Sequence, residues 1–161
     1  MAGSCKNRLF LRGLLLLVLV AVCACGSSKG GTATSGPAAD AVKTFINYLS
    51  KGQYGPAWDL LHPAQQAIVP RDLYVRCAQA AFQGAAAEVK VIKVLEVHPE
   101  RIAIPGTNTE VASTAVQLRV ELAAGGHSQE STETFQAIQV GGAYRLTLAD
   151  PEPYKNGQCP S

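Results

Sequence analysis

Histidine and cysteine are the residue types in this 161-residue chain that most often carry chemistry. The three histidines, His62, His98 and His127, lie far apart in the sequence, and none stands at metal-ligand spacing with another candidate ligand. His62 precedes a proline and His127 follows a glycine turn, so we interpret both as surface residues. The pattern predicts no catalytic residue, no metal site and no cofactor.

Aromatic side chains near the predicted helices could line a pocket. The candidates are Tyr48, Trp58 and Tyr74, although burial with a single hydrogen-bond partner is the more common role of such a tyrosine. Asp59 follows Trp58 but points off the apolar stripe that Trp58 shares with Leu61. We therefore expect Asp59 on a solvated helix face.

The distribution of charge argues against a nucleic-acid partner. The chain has 14 basic and 12 acidic residues, but Lys6, Arg8 and Arg12 lie in a segment that we expect to be removed. Subtracting these three leaves 11 basic against 12 acidic residues, a net charge near −1. Nucleic-acid binding needs a basic patch or stripe, and the remaining basic residues are scattered singly.

The first 24 residues have the pattern of a secretion signal. The three basic residues precede an uncharged apolar run over residues 13–22, and this order is typical of a secretory signal. A helix that crosses a membrane needs roughly 20 apolar residues, so the run is short for a permanent span. An uncleaved N-terminal anchor is the alternative.

The end of the apolar run resembles the bacterial lipobox, in which an aliphatic, a tolerated and a small residue precede a cysteine: Val22, Cys23, Ala24 and Cys25. The resemblance implies that Cys25 receives a diacylglyceryl group and that cleavage follows Ala24. Cys23 is the competing cysteine, but the branched Val22 fits the small-residue position badly. Two acyl chains suffice for stable anchoring in a membrane.

These observations divide the chain into three parts. Residues 1–24 are the signal peptide, residues 25–38 are the lipidated cysteine with a Gly-, Ser- and Thr-rich tether, and residues 39–161 are the exported domain with its tail. We expect the protein at the extracytoplasmic face of the cell membrane, with the membrane as its partner through Cys25.

Counting cysteines predicts a disulfide. Cys5 and Cys23 leave with the signal and Cys25 carries lipid, so Cys77 and Cys159 remain. An exported chain enters an oxidising compartment, where disulfides persist. Two remaining cysteines are an even number, so we expect them to form a disulfide with each other. The tail over residues 150–159 has little apolar content, so we expect the bond to pin it to the helices.

Apolar periodicity predicts three main helices. The first lies between an N-cap at Asp40 and a stop at Gly52, with its apolar face at Val42, Phe45, Ile46 and Leu49. The second opens at Gly55-Pro56 and is followed by a short helical piece over residues 64–69. The third covers residues 70–83, with a stripe formed by Leu73, Cys77, Ala80 and Ala81.

From Glu88 the period changes to two, which predicts strands over residues 88–98, 110–122, 129–140 and 143–148. A slip in the alternation near Val91 and Ile92 indicates a bulge. The predicted fold is α+β, with N-terminal helices packed on one face of a curved four-stranded antiparallel sheet. The predicted core comprises Phe45, Ile46, Leu49, Trp58, Leu61, Leu73, Val116, Leu118, Val120, Phe135, Tyr144 and Leu146.

Two passages resemble the nuclear transport factor 2-like superfamily, also called the cystatin-like cone fold. They are residues 41–62, a helix followed by an aromatic and two leucines, and residues 135–146, a closing hairpin with an aromatic after its glycine turn. The resemblance implies a cone-shaped domain. Its members include ketosteroid isomerase-like and dehydratase-like enzymes as well as many non-enzymes, so fold alone implies no activity.

The side chains favour a non-catalytic binding or scaffolding module. The clearest strand directs only aliphatic side chains to the core, whereas the enzymes place carboxylates, tyrosines or histidines inside the cone. The expected ligand is a small apolar molecule or a protein partner. The alternative is a ketosteroid isomerase-like or hydrolase-like enzyme that uses the cone pocket. The polar strand face at Gln117, Arg119 and Glu121 is either solvated or a homodimer surface.

Overall fold

The computed structural model describes residues 35–83, 88–124 and 126–160 of the chain. Helices come first and an open antiparallel sheet follows, which confirms the predicted α+β class. The predicted signal peptide over residues 1–24 and the predicted lipidation site Cys25 lie outside the described residues.

Four helices precede the sheet: α1 (Pro37–Ser50), α2 (Tyr54–Asp59), α3 (Pro63–Gln66) and α4 (Arg71–Gln83). The predicted N-cap at Asp40 is wrong, because α1 begins at Pro37 with Gly36 as its N-cap. Proline suits the first helical turn, and the carboxylate of Asp40 complements the helix dipole from within that turn. Gly52 ends the helix as predicted, in the left-handed region with φ of +67°.

The buried stripe of α4 differs from the predicted one. Leu73 and Cys77 are buried, but their buried neighbours are Tyr74 and Ala78. Ala80 and Ala81, which the prediction placed in the stripe, are exposed. The aromatic ring of Tyr74 offers far more apolar area than an alanine methyl, so burying it sets the rotation of the helix.

The sheet consists of β1 (Glu88–Ala103), β2 (Glu110–Ala124), β3 (His127–Val140) and β4 (Ala143–Leu146), paired in that order. Leu61 adds a one-residue fifth segment through a parallel bridge to Leu146. Strand β1 continues five residues beyond its predicted end at His98, through Pro99, because an edge strand tolerates a missing backbone donor. The register shift between Val91 and Lys93 confirms the predicted bulge.

The core lies between the helices and one face of the sheet. Of the predicted core residues, eight are buried: Phe45, Ile46, Leu61, Leu73, Val116, Leu118, Val120 and Leu146. Four are half-buried and pack against the core: Leu49, Trp58, Phe135 and Tyr144. Leu122, which continues the core face of β2, is 44% exposed, because it pairs with Gln129 near the end of the sheet.

The C-terminal tail is held both by packing and by a covalent bond. A short helix, α5 (Glu152–Lys155), was not predicted; its Tyr154 is buried, with a ring centroid 6.1 Å from that of Tyr74. The predicted disulfide between Cys77 and Cys159 is confirmed, with Cα atoms 5.2 Å apart. The expectation that the tail has too little apolar content to pack is therefore wrong.

Candidate ligand-binding groove

One wall of a groove is formed by the C-terminal half of α1. The wall residues are Lys43, Ile46, Asn47 and Ser50, which lie at i, i+3, i+4 and i+7 and so share one helix face. Ile46 is buried, whereas Asn47 is exposed. This face borders the buried stripe of the helix, and it presents apolar and polar groups side by side.

The opposite wall is the first half of the edge strand β1. Its lining residues are Glu88, Val89, Lys90, Val91, Lys93 and Val94. Val89, Val91 and Val94 lie on the helix-facing side of the strand, whereas Lys90 and Lys93 pair with Glu121 and Arg119 on the opposite face and border the groove along the strand edge. The two register shifts of β1, between Val91 and Lys93 and between Val94 and Glu96, fall in or beside this stretch. Such bulges bend and twist a strand, which accounts for residues of both faces bordering the groove.

The groove has a volume of about 760 Å³, and its lining combines an apolar floor with the polar side of α1 at Lys43, Asn47 and Ser50. Val94 is buried, while Val89 and Val91 are half-buried and pack against the core. Small-molecule sites typically occupy about 300–1,000 Å³ and are mostly apolar with a few polar groups. The groove is therefore suited in size and lining to a small ligand.

The predicted pocket residues Tyr48, Trp58 and Tyr74 do not line this groove. Trp58 is half-buried and its Nε1 donates to the carbonyl oxygen of Val69 at 2.8 Å. Tyr74 is buried in the core, and desolvation, with smaller contributions from Tyr154 and Tyr54, raises the pKa of its hydroxyl. Tyr48 is half-buried against the core. The structure places all three as packing residues.

Sequence reasoning missed the groove residues. The bulge predicted near Val91 was the one signal that pointed to this place, since bulges often occur beside functional sites. Lys43 and Asn47 gave no signal, because a polar residue next to a buried helix stripe looks like ordinary solvated surface.

A second polar cluster, also missed, lies on the sheet face opposite α1. Ser113 donates to Oε1 of Gln136 at 2.8 Å, and Nε2 of Gln136 donates to Glu100. Nδ1 of His98 lies 3.2 Å from Oε1 of Glu96, without the angles of a hydrogen bond, and Nε2 lies 3.9 Å from Oε2 of Glu100. Ser113 donates to an amide oxygen and not to a base, so the cluster does not activate a nucleophile.

The remaining candidates have structural positions. His62 is the N-cap of α3, where its Nδ1 accepts from the amide of Ala64 at 3.1 Å, and desolvation lowers its pKa. His127 is exposed, as predicted. Asp59 is also exposed, as predicted, with Oδ1 3.5 Å from Nε of Arg71. Within residues 35–83, 88–124 and 126–160, no three His, Cys, Asp or Glu side chains are placed to hold a metal ion.

No protein-family model matches the chain, and no curated protein matches it either. Among the helices of the described ranges, none combines the length and hydropathy that crossing a membrane requires.

Proposed function

We propose that this chain is a lipid-anchored module at the extracytoplasmic face of the cell membrane, and that it binds a ligand in the groove between α1 and β1 without transforming it. The observation that carries the binding role is the groove itself, with its floor of Ile46, Val89, Val91 and Val94. The anchoring role rests on the lipobox-like residues that end at Cys25.

The arrangement of helices and sheet supports a cone-like domain of the nuclear transport factor 2-like kind as part of this proposal. Helix α1 contacts all four strands, and the two register shifts of β1 favour a curved sheet. In such a domain the groove would be the mouth of the cone. The homodimer surface at Gln117, Arg119 and Glu121 stays a prediction.

A non-catalytic role fits the ionisable groups of the groove better than the enzymatic alternative does. These groups are three lysines and Glu88, and Glu88, Lys90 and Lys93 are all exposed. Catalytic acids and bases are usually tuned by burial or by a close charged partner in an enclosed site. Among the residues that line the groove, no acid–base pair therefore supports ketosteroid isomerase-like or hydrolase-like turnover.

Metabolic labelling with a radioactive fatty acid tests the anchor. We expect label on the wild-type protein and on Cys23→Ala, and none on Cys25→Ala. Label that persists on Cys25→Ala would contradict the lipobox assignment, and loss of label from Cys23→Ala alone would move the lipid to the other cysteine.

Photo-crosslinking tests the binding role. The full lipidated chain in phospholipid nanodiscs is irradiated with an uncharged alkyl diazirine probe, and the cross-linked peptides are mapped by mass spectrometry. We expect saturable labelling of peptides that contain residues 43–50 and 88–94. Asn47→Trp should fill the groove and abolish this labelling, whereas Gln79→Trp, on the exposed face of α4, should leave it unchanged. Labelling that avoids both walls would contradict the proposal.

A further inference from the structure

The two walls of the groove differ in polarity. On the α1 wall, Lys43, Asn47 and Ser50 share one helix face and form a polar row about 10 Å long. On the β1 wall, the helix-facing side chains are all valines: Val89, Val91 and Val94. A ligand in the groove therefore meets hydrogen-bonding groups on one side and hydrocarbon on the other.

Taken together with Asp40, the polar row has no net charge. Nζ of Lys43 lies 3.5 Å from Oδ1 of Asp40, so a carboxylate one turn away partly offsets the ammonium group. Asn47 is exposed, and its amide offers both donors and an acceptor. The hydroxyl of Ser50 donates to the carbonyl oxygen of Asn47 at 3.0 Å, which leaves the hydroxyl oxygen to accept. These groups suit an uncharged head with hydroxyls, whereas an anionic head beside Lys43 would also meet Asp40.

The apolar floor continues past the groove onto β2. Val89 is the cross-strand neighbour of Leu122, and both side chains lie on the helix-facing side of the sheet. Among the side chains that the structure describes, Leu122 is the one large hydrophobic group that is exposed, at 44%. A single exposed leucine is ordinary on a protein surface, but this one extends the floor of a groove and so adds apolar area for a ligand.

The apolar track is long and narrow. Val89 and Val94 are five residues apart, a span of roughly 15 Å along β1. The step from Val89 to its partner Leu122 adds about 5 Å. A track of this shape fits one extended hydrocarbon chain better than a compact ring system.

The backbone of β1 argues against a peptide strand as the ligand. An added strand needs a regular series of edge N–H and C=O groups with which to pair. The register shifts at Val91/Lys93 and Val94/Glu96 interrupt that series along the groove. Bulges are one of the devices by which sheets prevent such pairing.

We propose that the groove binds an uncharged single-chain lipid, a molecule with one extended acyl chain and a head that carries hydroxyl groups. The chain lies along the valines of β1, with part of it over Leu122, and the head exchanges hydrogen bonds with Asn47 and Ser50. This inference rests on the proposed function, names the ligand class of the same site and adds Leu122 to it.

Competition against photo-crosslinking in nanodiscs tests the head of the ligand. The uncharged alkyl diazirine labels the full lipidated chain. The competitors are monopalmitoylglycerol, palmitoyl lysophosphatidate, which adds a phosphate to the same head, and hexadecane, which has no head. We expect monopalmitoylglycerol to halve the labelling of the groove peptides at a concentration about tenfold lower than hexadecane, since it gains hydrogen bonds to the α1 wall. The added phosphate should bring no further gain.

Variants of the α1 wall supply the second measurement. Asn47→Leu combined with Ser50→Ala should erase the preference for monopalmitoylglycerol over hexadecane, while the diazirine probe still labels the groove. Thr44→Val is the matched control, because Thr44 is exposed on the same helix and does not line the groove. This control should keep the preference.

Chain length tests the role of Leu122. Leu122→Gln should raise the concentration of monopalmitoylglycerol that halves labelling by about fivefold, because the long chain loses apolar contact. The same variant should leave competition by monooctanoylglycerol unchanged, since the shorter chain lies wholly on the valines. Arg119→Gln, on the opposite face of β2 with about half of its side chain exposed, is the control and should change neither value.

The measurements separate the outcomes. Stronger competition by lysophosphatidate than by monopalmitoylglycerol, or equal competition by hexadecane, would overturn the uncharged hydroxylated head. No loss in Leu122→Gln, or an equal loss for both chain lengths, would overturn the extended chain over Leu122. Groove binding itself survives each of these results. Absence of groove labelling by the diazirine probe would instead overturn the proposed function.

Discussion

The buried amide of Gln65 exchanges two hydrogen bonds with the backbone of Leu148, 83 residues further along the chain. Its Oε1 accepts from the Leu148 amide at 2.6 Å, and its Nε2 donates to the Leu148 carbonyl at 3.0 Å. The same Nε2 lies 3.2 Å from the carbonyl oxygen of Pro105. One side chain of α3 therefore joins the segment after β4 to the loop between β1 and β2.

Gln65→Leu should destabilise the fold strongly. Gln65 is fully buried, and the leucine would leave up to three backbone groups without partners, at about 1–3 kcal/mol for each group that water cannot reach. Chemical denaturation of the wild type and the variant measures the loss. Gln79→Leu, an exposed glutamine of α4, is the control and should change the free energy of unfolding by less than about 0.5 kcal/mol.

Reduction of the disulfide should destabilise the domain. Cys77 and Cys159 are separated by 82 residues, and closing a loop of that length is worth about 4–5 kcal/mol in the chain-entropy model. We expect the loss to approach this value, because Tyr154 still packs on Tyr74 and keeps the tail docked, so the folded state gains little entropy to offset that of the unfolded chain. Chemical denaturation of Cys159→Ser, of Tyr154→Ala and of the double variant measures the energetic coupling between the disulfide and the ring contact. If the two losses are purely additive, the ring contact does not retain the tail.

Leu118→Ala should cost far more stability than Arg119→Ala. Leu118 is fully buried on the core face of β2, and truncating a buried leucine typically costs about 2–5 kcal/mol. Arg119 points to the other face, with about half of its side chain exposed and one ion pair at 3.9 Å. Its loss should cost less than about 1 kcal/mol. Similar unfolding free energies for the two variants would contradict the assignment of the strand face.

Gly106→Ala should destabilise more than Gly141→Ala. Both glycines have a positive φ, which costs an alanine roughly 1–2 kcal/mol. A methyl group at Gly106 would lie 2.6 Å from Cδ1 of Ile68 and 2.7 Å from Cγ of Pro151, whereas nothing lies within 4 Å at Gly141. Thermal unfolding of the two variants isolates the steric contribution, and equal melting temperatures would mean that the β1–β2 loop moves freely away from the tail.

The order of elements was predictable from sequence because it depends on local periodicity. The apolar face of α1 and the alternation of β2 each repeat over several residues, so single exceptions do not hide them. The disulfide was predictable because Cys77 and Cys159 are the two cysteines that remain once Cys5 and Cys23 are assigned to the predicted signal and Cys25 to the predicted lipid. The buried stripe of α4 was not predictable from sequence. Tyr74 and Ala80 each suit either a buried or an exposed position on a helix, and tertiary packing decides which of them is buried.

The groove could not be predicted for a different reason. It depends on how the face of α1 at Lys43 and Ile46 is placed against β1, and this placement follows from long-range contacts. Gln65 is a similar case: a polar residue in a short helix has the sequence signature of surface. Its partners, Pro105 and Leu148, are 40 and 83 residues away.

His62 should make the domain less stable in mild acid. Desolvation lowers the pKa of its imidazole below the ordinary value of 6.5. As the pH falls, the unfolded chain therefore takes up this proton before the folded chain does. The stability contributed by the neutral imidazole is present above pH 6.5 and is lost as the pH falls through the folded-state pKa.

His62→Asn keeps an N-cap acceptor for the Ala64 amide but does not titrate in this range. We expect unfolding free energies measured at several pH values between 7.5 and 5 to fall less steeply in the variant than in the wild type. An NMR titration of the wild type should place the His62 imidazole below 6.5; a value above 6.5, or identical pH slopes for the two proteins, would contradict the assignment of this acid sensitivity to His62.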